Sequence, residues 1–240
     1  MTEKAKILML VEGDQDKRLM EKLFSLYEIG DSHEIVVYHT NIYVLYNSMF
    51  RDTDPESVDL QQLLKSMETD DEKKKIFDEH YSDILLIFDL DPQDGGFSDE
   101  RILRMTEFFK ESTETGKLYL NYPMVEAFYH MRTIPDPDYC HYTVSMEELR
   151  QKTYKMRVTV ENRDHDHRKF AKTKTECSLV INQNIDKARM LVKTHTDTDA
   201  VPPSIDILKV QLEMLRKDSI ISVLATCPFF IYDYNPNLLS

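Results

Sequence analysis

Two apolar runs in this chain end in carboxylates. Lys6–Val11, KILMLV, leads directly into Glu12 and Gly13, and 82–88, SDILLIF, leads into Asp89, Leu90 and Asp91. Carboxylate oxygens are hard ligands that suit Mg²⁺ or Mn²⁺ rather than zinc. Brought together, they repel one another unless a cation lies among them, and folding alone gives no reason to end two buried strands this way. Taken singly, Asp89 and Asp91 read as loop aspartates that accept backbone amides. Taken with Glu12 at a second strand end, the three read as catalytic groups around a divalent cation. A cation so held can activate water and neutralise charge that develops on a bound substrate.

For these groups to meet, their strands must be parallel neighbours, because open parallel sheets place functional groups outside the carboxyl ends of their strands. Both runs are continuously apolar, as suits strands buried on two faces. After Glu12, Gly13 permits a tight turn, Asp14 is placed to cap, and Leu19, Met20, Leu23, Phe24 and Tyr27 recur at helical spacing as far as Gly30. HEIVVYH at 33–39 predicts a further strand. Helices are predicted over 41–50 and 59–67, either side of the polar turn DTDPES, and 68–80 reads as charged and solvated. A helix over 98–114, a short fourth strand at KLYL and a helix opening in NYPMVEAFYHM complete the alternation. The expected architecture is α/β: a Rossmann-like domain over residues 1–131, with about four parallel strands flanked by helices. From the proline-rich IPDPDY onward the texture changes. Residues 132–240 predict a mostly helical C-terminal lobe packed on that domain, with helices over 145–155, 176–194 and 204–224.

LMLVEGDQD, a strand ending in Glu-Gly, and LLIFDLD, a later strand ending in Asp-x-Asp, resemble the two signature motifs of TOPRIM domains. Such domains occur in type IA and type II topoisomerases, bacterial primases, small ribonucleases and the overcoming-lysogenization-defect nucleases. The resemblance implies acid/base work or metal binding for Glu12 and Mg²⁺ ligation by Asp89 and Asp91. Nuclease branches often carry a further aspartate four residues beyond the glutamate, matched here by Asp16, one helical turn on. NYPMVEAF resembles the segment after the fourth strand in TOPRIM-like proteins of prokaryotic defence, among them RloB-type proteins and the effector nuclease of PARIS anti-phage systems. That likeness implies Glu126 as another acidic site residue, with Asn121 shaping its turn. Together these likenesses imply a Mg²⁺- or Mn²⁺-dependent nuclease, a toxin effector of anti-phage defence acting on DNA or on RNA such as tRNA. Glu12, Asp89 and Asp91 would bind the principal metal, with Asp16 and Glu126 assisting a second. A topoisomerase or primase is not implied, since the remaining residues hold neither a strand-passage tyrosine domain nor a polymerase-like companion.

Composition limits how a nucleic acid could be held. With 43 acidic against 30 basic residues the formal charge is −13, so binding cannot rest on a generally basic surface and must be local. The run RQKTYKMRVTVENRDHDHRKFAKTK at 150–174 is the candidate phosphate-contacting surface, through Lys152, Lys155, Arg157, Arg168, Lys169 and Lys172, with Tyr154, Asn162, His165, His167 and Phe170 interspersed. A solvated helix face is the alternative. His165 and His167 read as exposed members of a charged run rather than as metal ligands. Cys140, Cys177 and Cys227 lie far apart without a CxxC spacing, which argues against a zinc site or a disulfide framework and fits a reducing cytoplasm. The apolar stretch near the N-terminus is too short for a signal peptide or a membrane span, so a soluble cytoplasmic protein without a membrane partner is expected.

Tyr232 and Tyr234, in PFFIYDYNPNLL, are expected to anchor the tail on the body, with a partner-docking strand as the alternative. No glycine-rich phosphate loop and no Ser or Cys nucleophile motif stands in the sequence. The alternative function is a TOPRIM-like binding or regulatory module without turnover of its own, controlled by a partner such as an ATPase. A homodimer, the number of metals and the choice between DNA and RNA all stay open at this stage.

Overall fold

A computed structural model of the chain describes residues 6–29, 32–37, 39, 41–51, 54–113, 115–193 and 200–240. Residues 1–5, the expected helix ends at Gly30, Glu114 and Thr194, Tyr38 of the second strand, and Asp52 and Thr53 of the polar turn lie outside the described residues. In chain order the elements are β1 (Lys6–Val11), α1 (Asp14–Tyr27), β2 (Ser32–Val37), α2 (Ile42–Phe50), α3 (Leu60–Met67), α4 (Asp71–Lys74), β3 (Asp83–Asp89), α5 (Asp99–Phe108), β4 (Lys110–Glu111) and β5 (Gly116–Asn121). They continue with β6 (Thr143–Ser145), α6 (Met146–Arg150), α7 (Tyr154–Glu161), α8 (Lys174–Val192), α9 (Ser204–Asp218), β7 (Ile220–Ser222) and α10 (Phe229–Tyr234).

The main sheet has the order β2-β1-β3-β5-β4. Four of its strands are parallel, and β4 adds a two-residue antiparallel edge to β5. This α/β arrangement, a mostly parallel sheet flanked by helices, is compatible with a Rossmann-like fold. Leu8, Met9, Leu10 and Val11 are all fully buried, as are Leu86, Ile87 and Phe88, so successive side chains of both central strands are covered on opposite faces of the sheet. That is why these strands read as unbroken apolar runs. Among the described residues no helix is long and apolar enough to cross a membrane.

Several elements depart from the sequence pattern. The helix expected over 98–114 stops at Phe108 because the chain turns into a hairpin whose second arm starts at Gly116, at φ +107°. NYPMVEAFYHM forms only a 3-10 turn, Val125–Tyr129. The helix expected over 145–155 is two helices, α6 and α7, broken at Lys152, which adopts φ +57°. The last long helix ends at Asp218, with Ser219 left-handed at φ +55°, and the apolar residues beyond it form β7 against β6. A helical period alone cannot register such single left-handed residues. The charged stretch at 68–80 folds into α4 and a 3-10 turn, and Phe77 within it is buried.

The C-terminal half is tied to the sheet at several points. Tyr122 forms an antiparallel bridge with Leu224, Thr226 Oγ1 donates to the Leu120 carbonyl at 2.6 Å, and α8 lies against α1 through Tyr27 Oη and Ser178 Oγ at 2.9 Å. The tail is a helix, not a strand. Phe229, Phe230 and Ile231 anchor it, Phe230 stacking on Phe24 at 4.9 Å, while Tyr234 points outward at 55 % exposure and does not anchor.

Gly116 gives the fold a direct test. A Cβ there would come within 2.5 Å of Leu86 Cδ1, inside a filled core, and the backbone already sits where side chains are strained. Gly116→Ala is expected to destabilise the protein by about 2–4 kcal/mol. Urea unfolding measures this, and a variant as stable as the parent would contradict the described packing of β5 on β3.

Candidate functional site

Strand register builds the site. Val11 pairs with Ile87, which sets Glu12 beside the end of β3, and Asp89 pairs with Asn121 on the other side. Glu12 Oε2 therefore accepts the Asp89 amide N–H at 3.2 Å, and Asn121 Nδ2 donates to Asp89 Oδ1 at 3.2 Å. The Glu12 carbonyl accepts His39 N–H at 3.0 Å, pinning the turn from the β2 side. Asp91 sits at φ +41°, a region that aspartate tolerates better than most residues, and Gln93 Nε2 donates to its Oδ1 at 2.9 Å.

Below this row lie Asp16 and Glu126, 4 % and 2 % exposed. Gly13, not Asp14, is the N-cap of α1. The Gly13 N–H donates to Asp16 Oδ2 at 3.1 Å, which turns that carboxylate back towards the strand end. Glu126 reaches its place from the 3-10 turn after β5, and its Oε1 is 2.9 Å from Lys155 Nζ of α7.

The five acids share one electrostatic neighbourhood. Burial pushes Glu12 up to about 8, with Asp91's charge adding to the rise and the Asp89 amide opposing it. Burial likewise lifts Asp16 to about 7, against the Gly13 N–H and with Glu126's charge. Asp89 is driven well above the ordinary carboxylate range by burial and then by Asp16, Glu12, Asp91 and Glu126. Asp91 rises for the same first reason, with Gln93 opposing. Burial works against the Lys155 ammonium, but Glu126, Asp89 and Asp91 together hold its pKa above the usual value.

As the side chains stand, no group of three His, Cys, Asp or Glu residues among those described is arranged to hold a metal ion. The reason is local. Glu12, Asp16, Asp89 and Glu126 each turn an oxygen to an N–H or ammonium donor of the protein, and like charges favour such separation. The donor chemistry nevertheless fits a cation. The buried side-chain polar atoms without a partner among the described residues are Asp16 Oδ1, Gln93 Oε1, Glu126 Oε2 and His167 Nε2, and all four belong to residues around this cluster. Three are oxygens, and buried polar atoms of this kind call for a bound water or ion.

Glu12, Asp89 and Asp91 open onto a cavity of about 350 Å³, lined also by Gln93, Met124, Leu149, Lys152, Tyr154 and Lys155. A larger cavity, about 750 Å³, lies at the other end of the sheet between Ile84 and Thr115, away from the acids. Of the six basic residues predicted to meet substrate, only Lys152 and Lys155 line the acidic cavity. Arg157 is held by Glu148 and Glu161, and Arg168 and Lys169 by Asp166. Lys172 is exposed. The run carries its own carboxylates, so it largely neutralises itself. Tyr154, Asn162 and Phe170 are buried.

His165 is exposed as expected, but His167 is not. Its ring stacks on Tyr129 with centroids 4.4 Å apart, its Nδ1 faces Gln15 Nε2 at 3.3 Å, and burial lowers its pKa. His167 read from sequence only as an exposed member of the charged run, and Gln93 carried no spacing signal that would have singled it out. Compared with protein-family models, curated proteins and solved structures, the chain matches none.

The raised carboxylates fix a pH dependence for the cation-free protein. Between about 4.5 and about 8 the folded state keeps a proton on Glu12 that the unfolded chain has released, so stability falls as pH rises through that window. Urea unfolding in EDTA between about pH 5 and about pH 8 should show this decline, and Glu12→Gln should flatten it. Stability that climbs with pH, or an unchanged slope in the variant, would contradict the burial of these acids.

Proposed function

We propose that this chain is a divalent-cation-dependent nuclease with a TOPRIM-type site. The observation that carries the reading is the gathering of Glu12, Asp16, Asp89, Asp91 and Glu126 at the carboxyl ends of parallel strands, with unpartnered buried oxygens among them. Burying mutually repelling acids costs stability, and structural ion pairing does not account for it, since Lys155 is the one ammonium that pairs into the cluster among the described residues.

A bound Mg²⁺ or Mn²⁺ would supply Lewis acidity, lowering the pKa of a water and neutralising phosphoryl charge. Asp89 and Asp91 would hold that ion against the sheet end, with Asn121 fixing the orientation of Asp89 from behind. Glu12 has Oε2 engaged by the Asp89 amide, which leaves Oε1 to join the ligands or to take the proton of an attacking water. Asp16 and Glu126, deeper in the cluster, would assist a second ion. Lys152 at the cavity mouth and Lys155 beside Glu126 place positive charge where a phosphate would lie. The defence setting and the inclusion of tRNA among targets come from the motif resemblance, and three free thiols agree with a reducing cytoplasm.

One observation favours a second reading, a site governed by a protein partner. Met156 and Val160 stand one turn apart on the outer face of α7, 72 % and 64 % exposed, on the same helix as Lys155. A partner covering that pair would control the cavity without touching a carboxylate.

Metal-dependent cleavage of a mixed panel of tRNA, single-stranded DNA and duplex DNA separates the readings. Glu12→Gln and Asp91→Asn are each expected to lower it by more than the roughly 10–100-fold typical of changes outside the ligand shell, with circular dichroism unchanged. Cleavage that survives both substitutions would sink the nuclease reading. A purified wild type silent in every condition, and active or sequestered only with a co-purified protein, would favour the second.

A further inference from the structure

We infer that the cavity takes one nucleotide of an unpaired strand and does not engage a duplex, a conclusion that rests on the nuclease reading for its class of ligand. Three observations converge on it. The first is size. At about 350 Å³ the cavity falls at the lower end of the roughly 300–1,000 Å³ range of small-molecule sites. Its innermost carboxylate, Asp89, is only 7 % exposed, with Glu12 and Asp91 half-buried beside it. A duplex is stiff, with a persistence length of about 50 nm, and carries its phosphates on a convex outer surface. A flexible strand can bend one phosphate into the recess.

The second is charge. Duplex binders make on the order of 6–10 phosphate contacts. Here the chain is −13 overall, no arginine among the described residues lines the cavity, and two that follow Lys155 in sequence are engaged: Arg157 with Glu148 and Glu161, Arg163 with Asp164 and Glu176. Two ammonium groups remain at the cavity, Lys152 and Lys155. Lys152 is held there by a left-handed backbone at φ +57°, where glycine would sit with less strain. Two cations match a footprint of about two phosphates.

The third is the wall itself. Met124, Leu149 and Tyr154 line the cavity along with Glu12, Asp89 and Asp91. A phosphate gains nothing from an apolar surface, whereas a base or sugar leaving water does. Recognition of a splayed base beside a phosphate is the way proteins read unpaired strands.

Fluorescence anisotropy on the full chain, with Ca²⁺ replacing Mg²⁺ to hold turnover back, tests this without relying on cleavage. The probes are labelled single-stranded DNA and RNA oligomers, the matching duplexes, and a deoxyribose-phosphate oligomer without bases. Two contacts at about −0.7 each predict a slope of about −1.4 for log affinity against log salt on a single strand, and Lys152→Gln should bring it near −0.7. The oligomer without bases should bind about tenfold more weakly or worse. Duplex binding that is tighter than single-strand binding, or equal affinity for the oligomer without bases, overturns the inference and leaves the nuclease reading standing. Single-strand binding with these properties but no cleavage in Mg²⁺ or Mn²⁺ sustains the inference and removes the nuclease reading. No binding by any nucleic acid overturns both.

Discussion

Parallel pairing of β1 with β3 and of β3 with β5 is the constraint on which the rest of the molecule depends. Parallel strands bring like ends together, so whatever follows each strand in sequence is delivered to the same edge of the sheet. Because Val11 registers with Ile87 and Asp89 with Asn121, Glu12 and Asn121 flank Asp89 within hydrogen-bonding reach. A shift of one residue in either pairing would turn these side chains to the opposite face and dissolve the cluster. The register is in turn held by apolar residues buried on both faces of the central strands, which makes the site a consequence of the core.

That dependence explains which parts of the molecule were legible in sequence. Continuous apolar runs declared β1 and β3 as covered strands, and the acids at their ends needed no further pattern to be placed. Alternation of strand and helix was enough for the parallel sheet. What escaped was governed by single backbone angles or by contacts across the chain. Lys152 at φ +57° splits a helix whose periodicity runs on uninterrupted, and Gly116 at φ +107° converts the end of another into a hairpin. The run at 150–174 looked basic because a count of lysines and arginines does not show that Arg157, Arg163 and Arg168 each fold back onto a neighbouring carboxylate. His167 looked like one more charged-run histidine until Tyr129, distant in sequence, supplied a ring to stack on.

The electrostatics of the cluster follow from its position in the fold. Glu12, Asp16, Asp89 and Asp91 at the end of a covered sheet are desolvated by the core that aligns them, and burial raises the pKa of all four. The protein answers this with directed dipoles. Backbone amides of Gly13 and Asp89 and the side-chain amides of Asn121 and Gln93 each take one carboxylate oxygen. Neutral donors of this kind orient a carboxylate without cancelling its charge. The one ammonium admitted among the described residues, Lys155, reaches buried Glu126 from a long side chain that is itself 63 % exposed.

Lys155 also shows why the C-terminal half belongs to the site rather than hanging from it. Of the charged groups at the cavity, the sheet side contributes acids alone, whereas both lysines and the Leu149 and Tyr154 walls come from α6, α7 and the turn between them. That segment is fastened on two levels: Tyr154 shares its hydroxyl with buried His130, and half-buried Arg157 reaches the Thr143 carbonyl and Glu148. From the other direction, Cys227 N–H donates to Asn121 Oδ1 while Asn121 Nδ2 holds Asp89, so a residue of the last quarter of the chain braces the central carboxylate. An acidic sheet end and its partly basic cover therefore form one unit across the expected boundary near residue 131. On the proposed reading, the sheet end would supply the cation ligands and the cover would decide which phosphate can reach them.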